Sequence, residues 1–186
     1  MAQGIILAGG FSLRAETNKM LLSIDNKPLI IHTIKGMRPH VNKIVVVTGH
    51  YDKDLKELLK NENVIIAYNK DYERGMFSSV LTGVKEVDDD FFIIPGDIPF
   101  VRSSTYEALL NGTKDVRYPV YKGKQGHPLF IKKKLIDELL KEPINSNLKA
   151  FRDKQDKEEI EVEDENVLKD IDTMEQYRKV MEERKK

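Results

Sequence analysis

Four short apolar runs punctuate roughly the first 110 positions of this 186-residue chain: Gly4 to Ala8, Lys43 to Thr48, Val64 to Tyr68 and Phe91 to Pro95. Each is too short for a buried helix and suits a strand covered on both faces. Between them lie stretches with apolar residues at helical spacing. Leu29, Ile30, Thr33, Ile34 and Met37 make one such face. Lys27-Pro28 opens it, with the proline at the first helical position, where its missing N–H costs little. Leu55, Leu58 and Leu59 make a second face, with Asp52 as its cap. Val80, Leu81 and Val84 make a third within Ser78 to Val87. Ser104-Thr105-Tyr106-Glu107 has capping-box spacing ahead of a helix closing near Gly112. This alternation predicts an α/β fold: a three-layer, doubly wound, mostly parallel, Rossmann-like sheet with right-handed crossovers. Such sheets bind ligands at the carboxyl ends of their strands.

After Gly112 the rhythm changes. Val116 to Tyr121 and Leu129 to Ile131 read as two strands joined by a turn at Lys122 to Gly126. They form a hairpin-like insertion at about 114–132, a lid or acceptor wall beside the cleft. Lys134 to Lys141 reads as a short helix. Asn145 to Asp164 is polar, with an edge strand at Glu159 to Val162. Thr173 and Gln176 have capping-box spacing for a last helix, whose inner face is Tyr177, Val180 and Met181. No repeat or linker divides the chain, so residues 1–186 read as a single domain.

Charge and composition exclude several classes. Lysine plus arginine and aspartate plus glutamate each number 31, so there is no basic field for nucleic acid and none is expected as a partner. No cysteine is present, which excludes disulfides and zinc–thiolate sites. No apolar run approaches the length of a membrane span, and the N-terminus enters a strand without a leader pattern. A cytoplasmic location without membrane attachment is the expectation.

Chemistry concentrates where strands end. Gly9 and Gly10 follow the first run and let the backbone turn sharply, exposing N–H groups. Arg14 and Lys19 come next in a polar loop. Free N–H groups beside cations suit nucleotide phosphates, although a Gly-Gly pair also serves a plain strand–helix turn. No G-x-G-x-x-G follows the strand. Lys19 also lies too far from Gly10 for a Walker loop, and no Ser or Thr follows it. Asp97 stands just past the fourth run, between Gly96 and Pro99, either as a turn residue or as a magnesium ligand. Gly75-Met76-Phe77-Ser78-Ser79 could contact a base or ribose, or supply an N-cap serine. His127, before Pro128, is pushed toward extended backbone and either meets an acceptor or ends a turn. Asp170 and Asp172 point the same way from an extended segment, favouring a cap on the last helix over a second metal carboxylate. His32, His40 and His50 are isolated and read as structural or surface residues.

Taken together these segments resemble the molybdenum-cofactor nucleotidyltransferase family, within the nucleotide-diphospho-sugar transferase fold. The resemblance covers nearly the whole chain. Leu7-Ala8-Gly9-Gly10-Phe11-Ser12-Leu13-Arg14, with Lys19 and Leu21-Leu22, is similar to the signature loop. Asn69 with Gly75 to Ser79 is similar to the segment near the base, and Gly96-Asp97-Ile98-Pro99 to the metal motif. Gly126-His127-Pro128 and Asp170-Ile171-Asp172-Thr173 resemble the later landmarks. The resemblance implies a magnesium-dependent enzyme. It would join a nucleoside monophosphate from CTP or GTP to a phosphorylated acceptor of molybdopterin type, releasing pyrophosphate, with a molybdoenzyme client as a further partner. It implies nucleotide contacts from Leu7, Ala8, Gly9, Gly10, Arg14, Lys19, Asn69, Gly75, Met76, Ser79 and Asp97. Arg14, Lys19 and Asp97 would be catalytic, Asp97 would hold the metal, and His127 would bind the acceptor.

The chain also departs from the pattern. Ala15-Glu16 stand where the family usually has Met-Gly. The LAGG form is similar to the guanylyl branch while GMFSS resembles the cytidylyl branch, which leaves the base open. Pro143 to Leu148 replace the Gly-Asp-containing loop expected after the hairpin. A sugar- or alcohol-phosphate nucleotidyltransferase is the alternative on the same fold, and a non-catalytic nucleotide-binding accessory protein is the alternative from another class. A nicotinamide oxidoreductase lacks its fingerprint.

Overall fold

The computed structural model describes residues 1–10 and 18–184. The first strand, β1 (Gln3–Ala8), is buried along its length and lies at the centre of the sheet. Two short strands, β2 (Ser23–Ile24) and β3 (Lys27–Pro28), pair as a small hairpin, turned by Asp25 and Asn26 at φ 49° and 59°. The units α1 (Leu29–Met37), β4 (Lys43–Thr48), α2 (Asp52–Leu59), β5 (Ile65–Tyr68), α3 (Met76–Val84) and β6 (Phe91–Pro95) then alternate. The chain continues through α4 (Ser103–Asn111), β7 (Val116–Tyr121), β8 (Lys124–Gln125), β9 (Leu129–Ile131), α5 (Ile136–Lys141), α6 (Leu148–Asp153), β10 (Lys157–Glu161) and α7 (Met174–Glu183).

The main sheet has the order β10-β7-β9-β6-β1-β4-β5, with β8 added to β7. β1 runs parallel to both β4 and β6, β5 is parallel to β4, and β10 is parallel to β7. Among the described residues of this sheet, only β8 and β9 run against their neighbours. Side chains alternate across the sheet, so each strand feeds two cores. Ile6, Val46 and Ile94 pack with Ile34 of α1, Leu55 of α2 and Leu109 of α4. Ile5, Val45 and Ile93 pack with Val80 of α3, Leu139 of α5 and Phe151 of α6. This is the expected three-layer, mostly parallel α/β fold. Truncating a fully buried centre such as Ile5 to alanine would cost about 2–5 kcal/mol. Among the described residues, no helix is long and apolar enough to cross a membrane.

Several local expectations are corrected by tertiary partners. Pro28 precedes α1 in an extended conformation instead of opening its first turn, because it is committed to the β2–β3 hairpin. Asp52 does not cap α2; its carboxylate takes the Thr48 hydroxyl at 2.5 Å and the Lys56 ammonium at 2.7 Å. The capping box expected at Ser104 is absent. The helix starts at Ser103, and the Thr105 hydroxyl goes to the buried Asp164 at 2.8 Å. α3 begins at Met76, ahead of Ser78, once Gly75 at φ 103° has turned the chain. The hairpin expected at 114–132 is built into the main sheet, with β9 seated between β6 and β7. Asn145 to Asp164 is ordered structure. Asn147 caps α6 by accepting from the Ala150 N–H at 2.8 Å, and β10 forms the sheet edge. The box at Thr173 and Gln176 forms as its spacing predicts.

Candidate active site

Because β1 and β6 are parallel neighbours, the segments leaving them emerge at one edge of the sheet. The Gly96 N–H donates to the Leu7 carbonyl at 2.9 Å, which ties the two exits together. Gly9 and Gly49 are packed too closely for side chains, while a Cβ at Gly10 would meet nothing within 4 Å. A Cβ at Gly49 would stand 2.4 Å from the Gly9 carbonyl oxygen, and a Cβ at Gly9 would stand 2.7 Å from Ser79 Oγ. β1, β4 and the start of α3 therefore converge on Gly9.

A cavity of roughly 310 Å³ opens there. It is lined by Leu7, Ala8, Gly9, Gly10, Lys19, Gly75, Met76, Ser79 and Asp97, nine of the residues expected to contact nucleotide. Arg14 lies outside the described residues. Asn69 does not line the cavity. It is buried behind it, donating to Ser78 Oγ at 2.7 Å and Ser79 Oγ at 3.0 Å, while its carbonyl accepts from the Asp71 N–H at 3.0 Å. Its role is to seat the start of α3 against the end of β5. Asn18, which sequence reasoning missed, also lines the cavity; its Oδ1 accepts from the Met20 N–H at 3.2 Å.

Lys19 organises the charge. Its ammonium donates to Asp97 Oδ2 and, at 2.5 Å, to Asp172 Oδ1. Asp172 is therefore a site residue, and Thr173 takes the capping role that had been the favoured reading for this acidic pair. Burial alone would pull the Lys19 ammonium down, but the two carboxylates outweigh it and hold it above its ordinary value. Burial also pushes the Asp97 carboxyl up, against the opposing pull of Lys19. Asp170 is likewise raised, by burial and by the neighbouring Asp172 charge. One ammonium shared by two carboxylates leaves the cluster short of positive charge.

Asp97 Oδ1 is buried and has no hydrogen-bond partner among the described residues. An orphaned carboxylate oxygen beside a second carboxylate is the donor chemistry of a hard divalent cation, so Asp97 and Asp172 fit such an ion. Among the described residues no group of three or more His, Asp or Glu side chains offers a fuller cage.

A second cavity, about 380 Å³, lies across the Asp97–Lys19 pair and is lined by Gln125, His127, Asp170 and Asp172. Burial, helped by the charge of Arg152, pulls the His127 imidazole down to about 4, so it is neutral at physiological pH. The His127 backbone N–H donates to the Val167 carbonyl at 2.9 Å, fixing this corner of the wall. A larger cavity, roughly 660 Å³, lies between Phe100 and α7 and contains neither Lys19 nor Asp97. The first two cavities share the charged pair of Lys19 and Asp97.

Residues 4–159 match the family described as the MobA-like NTP transferase domain. The chain belongs to that family. It is a nucleotidyltransferase, and the MobA-like match spans the strands of the sheet apart from Gln3 of β1 and the last part of β10. The chain is 27% identical over 176 residues to the molybdenum cofactor cytidylyltransferase of Escherichia coli (strain K12), covering 93% of this chain and 92% of that one. It is 31% identical over 126 residues to a probable molybdenum cofactor guanylyltransferase of Bacillus mycoides (strain KBAB4), covering 66% and 63%. In fold it is similar to a nucleotidyl transferase from Methanothermobacter, with a TM-score of 0.84 at 20% identity over 98% of this chain and 97% of that one.

Proposed function

We propose that this nucleotidyltransferase transfers a nucleoside monophosphate from CTP or GTP to the phosphate of a molybdopterin-type acceptor, for delivery to a molybdoenzyme client. The observation that carries the reading is the convergence of the glycine turn, Lys19 and Asp97 on the border between two cavities. The nucleotide occupies the glycine-turn side and the acceptor the His127 side. An acceptor phosphate oxygen forms a bond to the α-phosphorus, the α–β phosphoanhydride bond breaks, and pyrophosphate leaves with the electron pair. Relatives named for both cytidylyl and guanylyl transfer support the acceptor class and leave both bases in play.

The chief obstacle is charge, since one anion approaches a polyanion. Positioning and electrostatic stabilisation are most of what such chemistry requires. Lys19 supplies a fixed cation at the junction, and Arg14 would add a second positive charge. Asp97 and Asp172 would hold Mg2+, which supplies further positive charge against the triphosphate. The neutral His127 adds no charge to the acceptor wall and offers a hydrogen bond. Asp97→Ala should lower turnover about 100-fold or more, the several kcal/mol that a positioned metal contributes. Pyrophosphate release at saturating magnesium measures this, and near-normal turnover would remove Asp97 from the role.

A further inference from the structure

The Lys19 ammonium sits where two carboxylates from distant parts of the chain converge, Asp97 after β6 and Asp172 ahead of α7. The Lys19 and Asp97 side chains are only 13% and 12% exposed, so this contact is not a loose surface pair. An ammonium and a divalent cation held by one pair of carboxylates at contact distance repel each other, and the low exposure of the Lys19–Asp97 contact leaves that repulsion weakly screened. Lys19 therefore competes with a metal for the negative charge of Asp97 and Asp172. It also lines the glycine-turn cavity, so its long stem already borders the space a triphosphate would fill.

We propose that Lys19 and the divalent cation exchange on the same two carboxylates, making metal entry dependent on nucleotide. In the nucleotide-free protein the ammonium holds the carboxylates together. Phosphate oxygens in the glycine-turn cavity give it a new partner, and the released carboxylates accept the cation. Without nucleotide the cation must compete with an ammonium already paired to both carboxylates, so metal alone binds weakly. Lys19 is then a positioning residue for the metal as well as a phosphate contact. This inference rests on the reading that Asp97 is a metal ligand.

The test uses Mn2+ alone, titrated into the full chain without nucleotide and followed by the paramagnetic resonance signal of the free ion. Lys19→Met removes the ammonium and keeps the stem. It should bind Mn2+ about tenfold or more tighter than the wild-type protein, given the repulsion removed. Equal or weaker binding overturns the exchange. Adding Asp97→Asn to Lys19→Met should abolish the gain. A gain that survives Asp97→Asn means that Asp97 is not the ligand, a failure of the underlying reading distinct from failure of the exchange. If Lys19→Met does not fold, the wild-type protein carries the test. Saturating Mn2+ should raise the rate at which an amine-acylating reagent labels Lys19, read by mass spectrometry, and an unchanged rate overturns the exchange.

Discussion

Replacing Asn69 with alanine isolates the scaffold behind the nucleotide cavity. The native amide makes three contacts, two buried ones from Nδ2 to the hydroxyls of Ser78 and Ser79 and a part-buried one from the Asp71 N–H to Oδ1. Ser78 keeps its own bonds to the carbonyls of Gly75 at 2.7 Å and Asp71 at 2.9 Å, so part of the α3 entry survives. The Asp71 N–H loses its partner, Ser79 loses its donor, and a side-chain volume is emptied. An orphaned buried polar group costs about 1–3 kcal/mol, so a loss of roughly 3 kcal/mol is expected. For a chain of this size that corresponds to about 6–12 °C in melting temperature. Ser79 packs against Gly9, so the disturbance should reach the cavity and weaken nucleotide binding about tenfold, equivalent to ~1.4 kcal/mol. Thermal melts and calorimetric titration with a non-hydrolysable nucleotide measure the two effects. Asn69→Leu fills the volume without the hydrogen bonds and should melt close to Asn69→Ala. If both variants melt within about 2 °C of wild type and bind nucleotide normally, the network does not organise the site.

Gly49→Ala should cost about 1–3 kcal/mol and impair nucleotide binding, because its Cβ would stand 2.4 Å from the Gly9 carbonyl oxygen, a backbone atom that cannot swing aside. A melt and a nucleotide titration that both match wild type would contradict it. His127 gives a pH prediction. Its imidazole is held at about 4 in the fold, against 6.5 for the ordinary side chain, so the unfolded chain binds a proton that the folded one refuses. That contribution is fully present above pH 6.5 and is lost as the pH falls toward 4, by at most about 3 kcal/mol. His127→Phe should flatten the stability profile across that window, and urea melts at a series of pH values would reveal an unchanged slope if the assignment is wrong.

The fold was legible because parallel strands covered on both faces read as unbroken apolar runs, as KIVVVT and FFIIP do. β10 was only partly legible, since KEEIE at the sheet edge buries little of its length. The cap at Asp52 misled because its carboxylate is taken up with Thr48, and the box at Ser104 because the helix starts one residue earlier, with Thr105 turned to the remote Asp164. The cavity-lining glycines followed from the rule that loops after strands share one edge. Asp172 could be seen as an acid near a helix start, but its convergence with Asp97 on Lys19 depends on how the last segment returns to the sheet. The bonds of Asn69 to Ser78 and Ser79 were not legible, because periodicity does not reveal which way a residue just past an edge strand turns.

The most direct test of nucleotidyl transfer to a molybdopterin-type acceptor is pyrophosphate release with magnesium. CTP, GTP, ATP and UTP would each be compared with and without molybdopterin. The account predicts release from CTP or GTP only when molybdopterin is present. Nucleotide binding with no pyrophosphate released from any triphosphate in the presence of molybdopterin would contradict it.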